Sequence, residues 1–275
     1  MAVDTTRPVE EIRPIARSTD AREVALAAYE RLTGLLEQLE PEDWDAPTEC
    51  PGWDVAAMVG HLIGAGKSCA SLRESVRQQR WARKRAGEFE DNALDAANEL
   101  QVRDHAGLSP AERIAALREV APRAVRGRMR FPRPLRRASV ALDASGSSAP
   151  GMPSRLSFGH LMDVIYTRDV WLHTIDIARA TGRAYVPDTA VDSRIVEDVV
   201  AEWARRHGEP FVLVLSGPAG ARFRSGEGGG HLHLDAVECC RILSGRADAA
   251  HALEAATLEA DPQHTVQLLD TRVLF

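Results

Sequence analysis

Asp169 and His173 stand four residues apart in the run Arg168-Asp169-Val170-Trp171-Leu172-His173, and Asp176 follows three residues later. On a helix that spacing puts the first two side chains one above the other on a single face. A carboxylate and an imidazole so placed can chelate one divalent cation. His61, in Val59-Gly60-His61-Leu62-Ile63, lies three residues after Met58 on another apolar stripe. Contributed from a facing helix, it would complete a three-ligand site with positions open to water, thiol or substrate, as in catalytic zinc centres. Helix bundles hold metals in this way. The same residues also suit plainer roles, a satisfied core histidine at position 61 and a simple Asp169–His173 hydrogen bond. Spacing alone leaves both open.

Four amphipathic helices are predicted to position these groups. Residues 1–18 lack periodicity and read as an arm. From Thr19, the residues Val24, Ala28, Leu32, Leu35, Leu36 and Leu39 recur at three- and four-residue steps, with a stop at Pro41. A loop rich in Pro, Gly and Trp leads to a helix starting near Asp54, with the stripe Val55, Met58, Val59, Leu62, Ile63. The basic stretch Arg73–Arg85 reads as its continuation. Ser109-Pro110-Ala111-Glu112 is a capping box with proline at the first helical position. It opens a helix marked by Ile114, Leu117 and Val120. Residues 122–157, rich in Arg and Pro, read as an irregular segment of the length used for lids and binding loops. The fourth helix, Phe158–Thr181, is stopped by Gly182. Together these imply an antiparallel bundle over residues 19–185. Residues 186–275 change character: a helix over Ala190–Arg206, three strands separated by turns within Phe211–Asp235, then helical patterns at Ala236–Leu243 and Ala249–Ala256. The fold class is therefore α+β.

With 44% hydrophobic and 27% charged residues, the chain has an ordinary globular composition. A net charge of −6 argues against general nucleic-acid affinity, which needs a basic surface. No apolar run approaches the roughly 18–20 residues that span a bilayer. The polar N-terminal stretch lacks the pattern of a signal peptide, so no membrane association and a cytoplasmic location are expected. Cys50, Cys69, Cys239 and Cys240 form no Cys-x-x-Cys and read as reduced thiols, with Cys50 structural. Arg123, Arg126, Arg128, Arg130, Arg133, Arg136 and Arg137 suit either an anion clamp or a solvated loop. Gly226–Gly230 lacks the Lys-Ser/Thr of a phosphate loop and reads as a hairpin turn, while His231 and His233 alternate on an exposed edge strand. Neither a Gly-x-Ser-x-Gly elbow nor a dinucleotide fingerprint is present.

The run Trp44-Asp45-Ala46-Pro47-Thr48-Glu49-Cys50-Pro51-Gly52-Trp53-Asp54-Val55, followed by His61-Leu62, resembles the N-terminal signature of the mycothiol-dependent maleylpyruvate isomerase family. That family belongs to the larger group of DinB-like metal-binding bundles. Thr167–Arg183 resembles its second signature, in which a carboxylate and a histidine four residues later bind metal. Leu243–Asp248 is similar, more weakly, to a part of the family's C-terminal domain, which has a sterol-carrier-like α+β fold. The resemblance implies a DinB-like four-helix bundle followed by a small sterol-carrier-like domain. It implies His61, Asp169 and His173 as ligands of a divalent ion, zinc or similar, and Arg246 as an arginine near the active site. The family isomerase has Glu where this chain has Asp169, which leaves Asp176 as a substitute ligand or as the partner that orients an imidazole. Mycothiol as cosubstrate and a small-molecule electrophile as substrate follow, with either isomerisation or S-transfer as the reaction. Rival readings are a metal-dependent hydrolase and a non-enzymatic small-molecule or lipid-binding protein.

Overall fold

The structure is a computed structural model that describes residues 6–141, 152–248 and 262–275. They divide into two units: one of residues 16–141 and 155–185, the other of the described residues among 1–15, 146–154 and 186–275. Along the chain, a short strand β1 (Arg7–Pro8) precedes α1 (Ala21–Leu36), α2 (Val55–Ala70), α3 (Leu72–Arg85), α4 (Ala93–His105), α5 (Pro110–Arg130) and α6 (Arg133–Arg136). Strands β2 (Ser139–Ala141) and β3 (Arg155–Ser157) follow, then α7 (Phe158–His160), a π-helical turn over Leu161–Ile165, and α8 (Tyr166–Ala180).

The predicted stripes of α1, α2 and α5 meet in one core through Ala28, Leu32 and Leu36 of α1, Met58, Val59 and Leu62 of α2, and Leu117 of α5. Helix α8 joins it through Val170 and Ile177, not through the apolar positions Leu161, Met162, Ile165, Leu172 and Ile175 that the sequence marks on the fourth helix. Burying such side chains stabilises a fold by about 1.5–3 kcal/mol each, so these four faces must pair. The basic stretch Arg73–Arg85 does not continue α2. Ser71 takes an extended conformation (φ −143°, ψ 119°), and its hydroxyl accepts from Glu74 N, capping a new helix. With α4, which shows little periodicity in the sequence, α3 forms a helical pair laid against α2.

The segment 122–157 is also more regular than expected. Helix α5 runs through Pro122 to Arg130. Pro122 is exposed, so the carbonyl left without a helical N–H faces water. Beyond α6, β2 pairs antiparallel with β3, Ser139 opposite Ser157; residues 142–151 lie outside the described ones. Of the seven arginines, Arg128 is fully buried and Arg136 half-buried, while the other five are exposed.

In the second unit, β4 (Phe211–Ser216), β5 (Arg222–Ser225) and β6 (Gly230–Asp235) join β1 in a sheet of order β1-β5-β4-β6. Residues of the expected arm are built into this unit: β1 pairs parallel with β5, Val9, Ile12 and Ile15 are buried, and Ile15 N donates to Asp198 Oδ1 at 2.8 Å. Helix α9 (Val191–His207) sets Trp203 against Phe211, ring centroids 4.8 Å apart. Helices α10 (Ala236–Ser244) and α11 (Pro262–Leu269) complete the described part. The glycine run is not a hairpin turn. β5 and β6 both pair with β4, β6 in parallel, so the connection crosses the start of β4. A Cβ on Gly229 would come within 2.0 Å of the Pro210 carbonyl oxygen, which is why glycine stands there. His231 and His233 are exposed on edge strand β6. The helical pattern at Ala249–Ala256 falls outside the described residues. Among those described, no helix is long and apolar enough to cross a membrane.

Candidate metal centre

Local chain chemistry delivers each side chain of the candidate site. Thr48 N and Oγ1 both donate to the Trp53 carbonyl, at 2.9 and 2.8 Å, closing a tight loop. Asp54 then caps α2 by accepting from Ala57 N at 2.7 Å. That cap sets the phase of the helix, so Met58 and Leu62 enter the core and His61 is buried at its margin. Ion pairs of Arg183 with Asp43 (2.6 Å) and Arg179 with Glu49 (3.1 Å) tie the loop to the end of α8. The Trp53 ring therefore lies 5.0 Å from that of His61 and 6.2 Å from that of His173.

On α8 the four-residue spacing acts as expected. Asp169 Oδ1 lies 3.3 Å from His173 Nε2, and Oδ2 lies 3.5 Å from His61 Nε2. One donor atom from each of the three lies within 4.8 Å of the others. The two carboxylates left open by the sequence occupy different places. Asp176 is fully buried and accepts from His173 Nδ1 at 2.9 Å. With the Nδ1 proton committed there, Nε2 is the nitrogen that faces the space shared with His61 and Asp169. A carboxylate so placed orients a metal-binding imidazole. Two imidazoles and a carboxylate converging between helices suit a divalent cation. Arg246 lies in the sheet-containing unit just past α10, after Gly245, and its N donates to the Arg241 carbonyl at 2.9 Å.

Burial alone would raise the Asp169 pKa, but His173 and His61 beside it hold it far below the usual carboxylate range. Burial alone would lower that of His173, yet Asp169, Asp176 and Cys50 together push it well above the ordinary imidazole value. An ion taking Nε2 must then displace a proton. Metal affinity is expected to rise with pH until the His173 pKa is passed, with about one proton released per ion. Metal titrations of stripped protein in buffers of different pH would read this, and a pH-independent affinity would contradict it.

Beneath Asp169 lies a layer that sequence reasoning missed. Tyr166 is hydrogen-bonded to Cys69, and burial pushes the Cys69 thiol up to about 11. Tyr29 and Tyr166 are raised as well, Tyr29 by burial and Tyr166 by Cys69 and burial, so all three stay neutral at physiological pH. Arg128 donates from Nε to the Met162 carbonyl at 2.7 Å and from Nη2 to Thr167 Oγ1. The π-turn makes the Met162 contact available, and its Asp163 receives Arg17 N at 3.1 Å and pairs with Arg136. Trp53 and Cys50 were also unassigned by spacing. They sit in a loop, where no period reveals which way a side chain points.

The family model described as "Mycothiol maleylpyruvate isomerase N-terminal domain" matches residues 25–178, more than half of the chain. The chain belongs to this family. Two solved structures are similar to it in fold. One, a histidine-to-alanine mutant of the mycothiol-dependent maleylpyruvate isomerase, has 15% identity and a TM-score of 0.53, covering 92% of this chain and 96% of the other. The second, the mycothiol-dependent maleylpyruvate isomerase, has 16% identity and a TM-score of 0.52, covering 88% and 93%. No curated protein matches the chain in sequence. The family match ends within α8, just past Asp176, and so takes in His61, Asp169, His173 and Asp176. At such low identity the structural likeness speaks for the α+β fold alone.

Proposed function

We propose that this protein is a divalent-metal-dependent enzyme that uses mycothiol for isomerisation or S-transfer on a small electrophilic substrate. The observation that carries the reading is the convergence of His61, Asp169 and His173 in a chain of this family. These three would hold the ion, and the nitrogen and oxygen donors favour zinc or a close relative. A bound divalent ion would lower the pKa of a presented thiol, so that a thiolate forms near neutral pH. Asp176 fixes the His173 tautomer, and the Trp53 ring shields both imidazoles on one side. Tyr29, Cys69 and Tyr166 remain neutral, so among these neighbours Asp169 alone brings an anionic charge to the Nε2 atoms of both imidazoles. Arg246 keeps the catalytic role that the resemblance implies, and a cytoplasmic location is consistent with use of an intracellular thiol.

The test is turnover of a small electrophile by stripped, zinc-reloaded and mock-reloaded protein, each with and without mycothiol. Activity requiring both metal and thiol is expected. Thiol-independent hydrolysis would point to a hydrolase instead, and ligand binding indifferent to metal would point to a binding protein. Two substitutions refine the assignment. Asp176→Asn can donate rather than accept at Nδ1, turning the imidazole proton towards the ion; metal affinity should fall roughly 10–100-fold, read by competition with a chelator. Arg246→Ala should lower turnover while leaving metal content at the wild-type level, and unchanged turnover would remove Arg246 from the site.

A further inference from the structure

The sequence reads Cys50 as a structural thiol, but the fold sets it beside a ligand-type histidine. Its thiol hydrogen-bonds with His173. Donor atoms of Cys50, His173 and Asp176 lie within 4.8 Å of one another, as those of His61, Asp169 and His173 do. The two triplets share His173, whose ring nitrogens face opposite carboxylates: Nε2 meets Asp169 at 3.3 Å, and Nδ1 meets Asp176 at 2.9 Å. We propose that Cys50, His173 and Asp176 form a second cation site, selective for thiophilic ions and filled in competition with the His61–Asp169–His173 position.

The donor chemistry supports the selectivity. A sulfur, a nitrogen and an oxygen together favour soft or borderline ions such as zinc, cadmium or cobalt over magnesium or calcium. The first triplet offers no sulfur. Asp176 is wholly buried and Cys50 half-buried, so a charged ligand lies at the inner end and the thiol nearer solvent. On binding, the thiol loses its proton to solvent and the Nδ1 proton leaves that nitrogen. A neutral imidazole has one lone pair to give. An ion on Nδ1 therefore leaves a protonated Nε2 facing Asp169 and His61, which disables the first position. This competition does not rest on the thiol-dependent activity proposed above.

Cobalt(II) added to stripped full-length protein, with no low-molecular-weight thiol present, reads the site directly. Wild type is expected to show a thiolate-to-cobalt charge-transfer band in the near ultraviolet beside the visible ligand-field bands. Cys50→Ser should lose the ultraviolet band and keep visible ones. His61→Ala, which leaves the second triplet whole, should keep the ultraviolet band. A measurement on wild type guards against a misfolded variant: saturating cobalt should slow modification of Cys50 by a thiol reagent on the order of tenfold, followed by peptide mass. A missing ultraviolet band in wild type, a band that persists in Cys50→Ser, or unslowed modification of Cys50 would overturn the proposal.

Discussion

His173→Ala is expected to lose the bound ion and the thiol-dependent turnover together, the largest functional effect of any single substitution in this protein. His173 makes more of the site's short contacts than any other side chain: Asp169 at Nε2, Asp176 at Nδ1, and the Cys50 thiol. Structural zinc sites contribute about 10–16 kcal/mol in total, so removing one ligand of three should cost ~3 kcal/mol or more, over a hundredfold in affinity. The variant also leaves the wholly buried Asp176 without its imidazole donor, which adds a cost to the metal-free fold. His61→Ala should weaken the ion without that second penalty, because among the described residues His61 Nδ1 has no hydrogen-bond partner. Elemental mass spectrometry of untagged wild type and both variants, with thermal melts alongside, decides the matter. A full complement of metal in His173→Ala would overturn the ligand assignment.

Within the helical bundle, a large effect on stability is expected from a single methyl group at Gly127→Ala. Helix α5 crosses the end of α2 there, and a Cβ would lie 2.0 Å from the Cys69 carbonyl oxygen and 3.4 Å from Ala70 Cα. Both obstacles are backbone, so neither can swing aside. Overpacking of this kind costs about 1–3 kcal/mol and occasionally more, which outweighs the ~1 kcal/mol that alanine gains over glycine inside a helix. The net loss should be about 1–2 kcal/mol, lowering the melting temperature by several degrees, roughly 2–8 °C. Gly34→Ala is the control. Gly34 lies within α1 with nothing within 4 Å of its Cβ position, so the same substitution should stabilise by up to ~1 kcal/mol. Opposite signs in paired melts are the expected result; equal shifts would mean that α2 and α5 do not meet so closely. The strain at Gly127 also bears on the centre, since α2 carries His61 and the neighbouring Arg128 braces α8 through Thr167.

How far the site was legible before the fold was known depends on which signals are periodic. The stripes of α1, α2 and α5 repeat at three and four residues, and each returned as a face of the core, whereas α8 meets that core through Val170 and Ile177, which its predicted stripe did not include. The capping box at Ser109 repeats its own chemistry in the structure, Glu112 N donating to Ser109 Oγ and Glu112 Oε2 accepting from Ser109 N. The Asp169–His173 pair follows from helical geometry once α8 is granted. The break at Ser71 was not legible, because Ala70 and Leu72 flank it with no Gly or Pro beside them to mark a stop, and a cap is weak evidence without a change of period. The passage of α5 through Pro122 was hidden for the converse reason: proline is a strong stop signal, and only its exposed position makes it tolerable.

By itself the sequence determined the α+β class, the main helices of the bundle, the signatures of its family and the three side chains that meet at the candidate centre. The class and the helices rest on local properties, period and caps, and the Asp169–His173 pairing on spacing along a single helix, while His61 joins that pair only through the resemblance of the two signatures. Tertiary structure alone decided which carboxylate faces the two Nε2 atoms and which holds Nδ1, since Asp169 and Asp176 are interchangeable in composition and differ only in where α8 turns them. It likewise decided that Cys50 and Trp53 stand against His173, and that Arg128 is buried while five of its neighbouring arginines are exposed. Such facts depend on contacts between residues more than a hundred positions apart, such as Glu49 with Arg179. No local pattern encodes them, because the partner that gives each side chain its environment is brought near only by the packing of the helices.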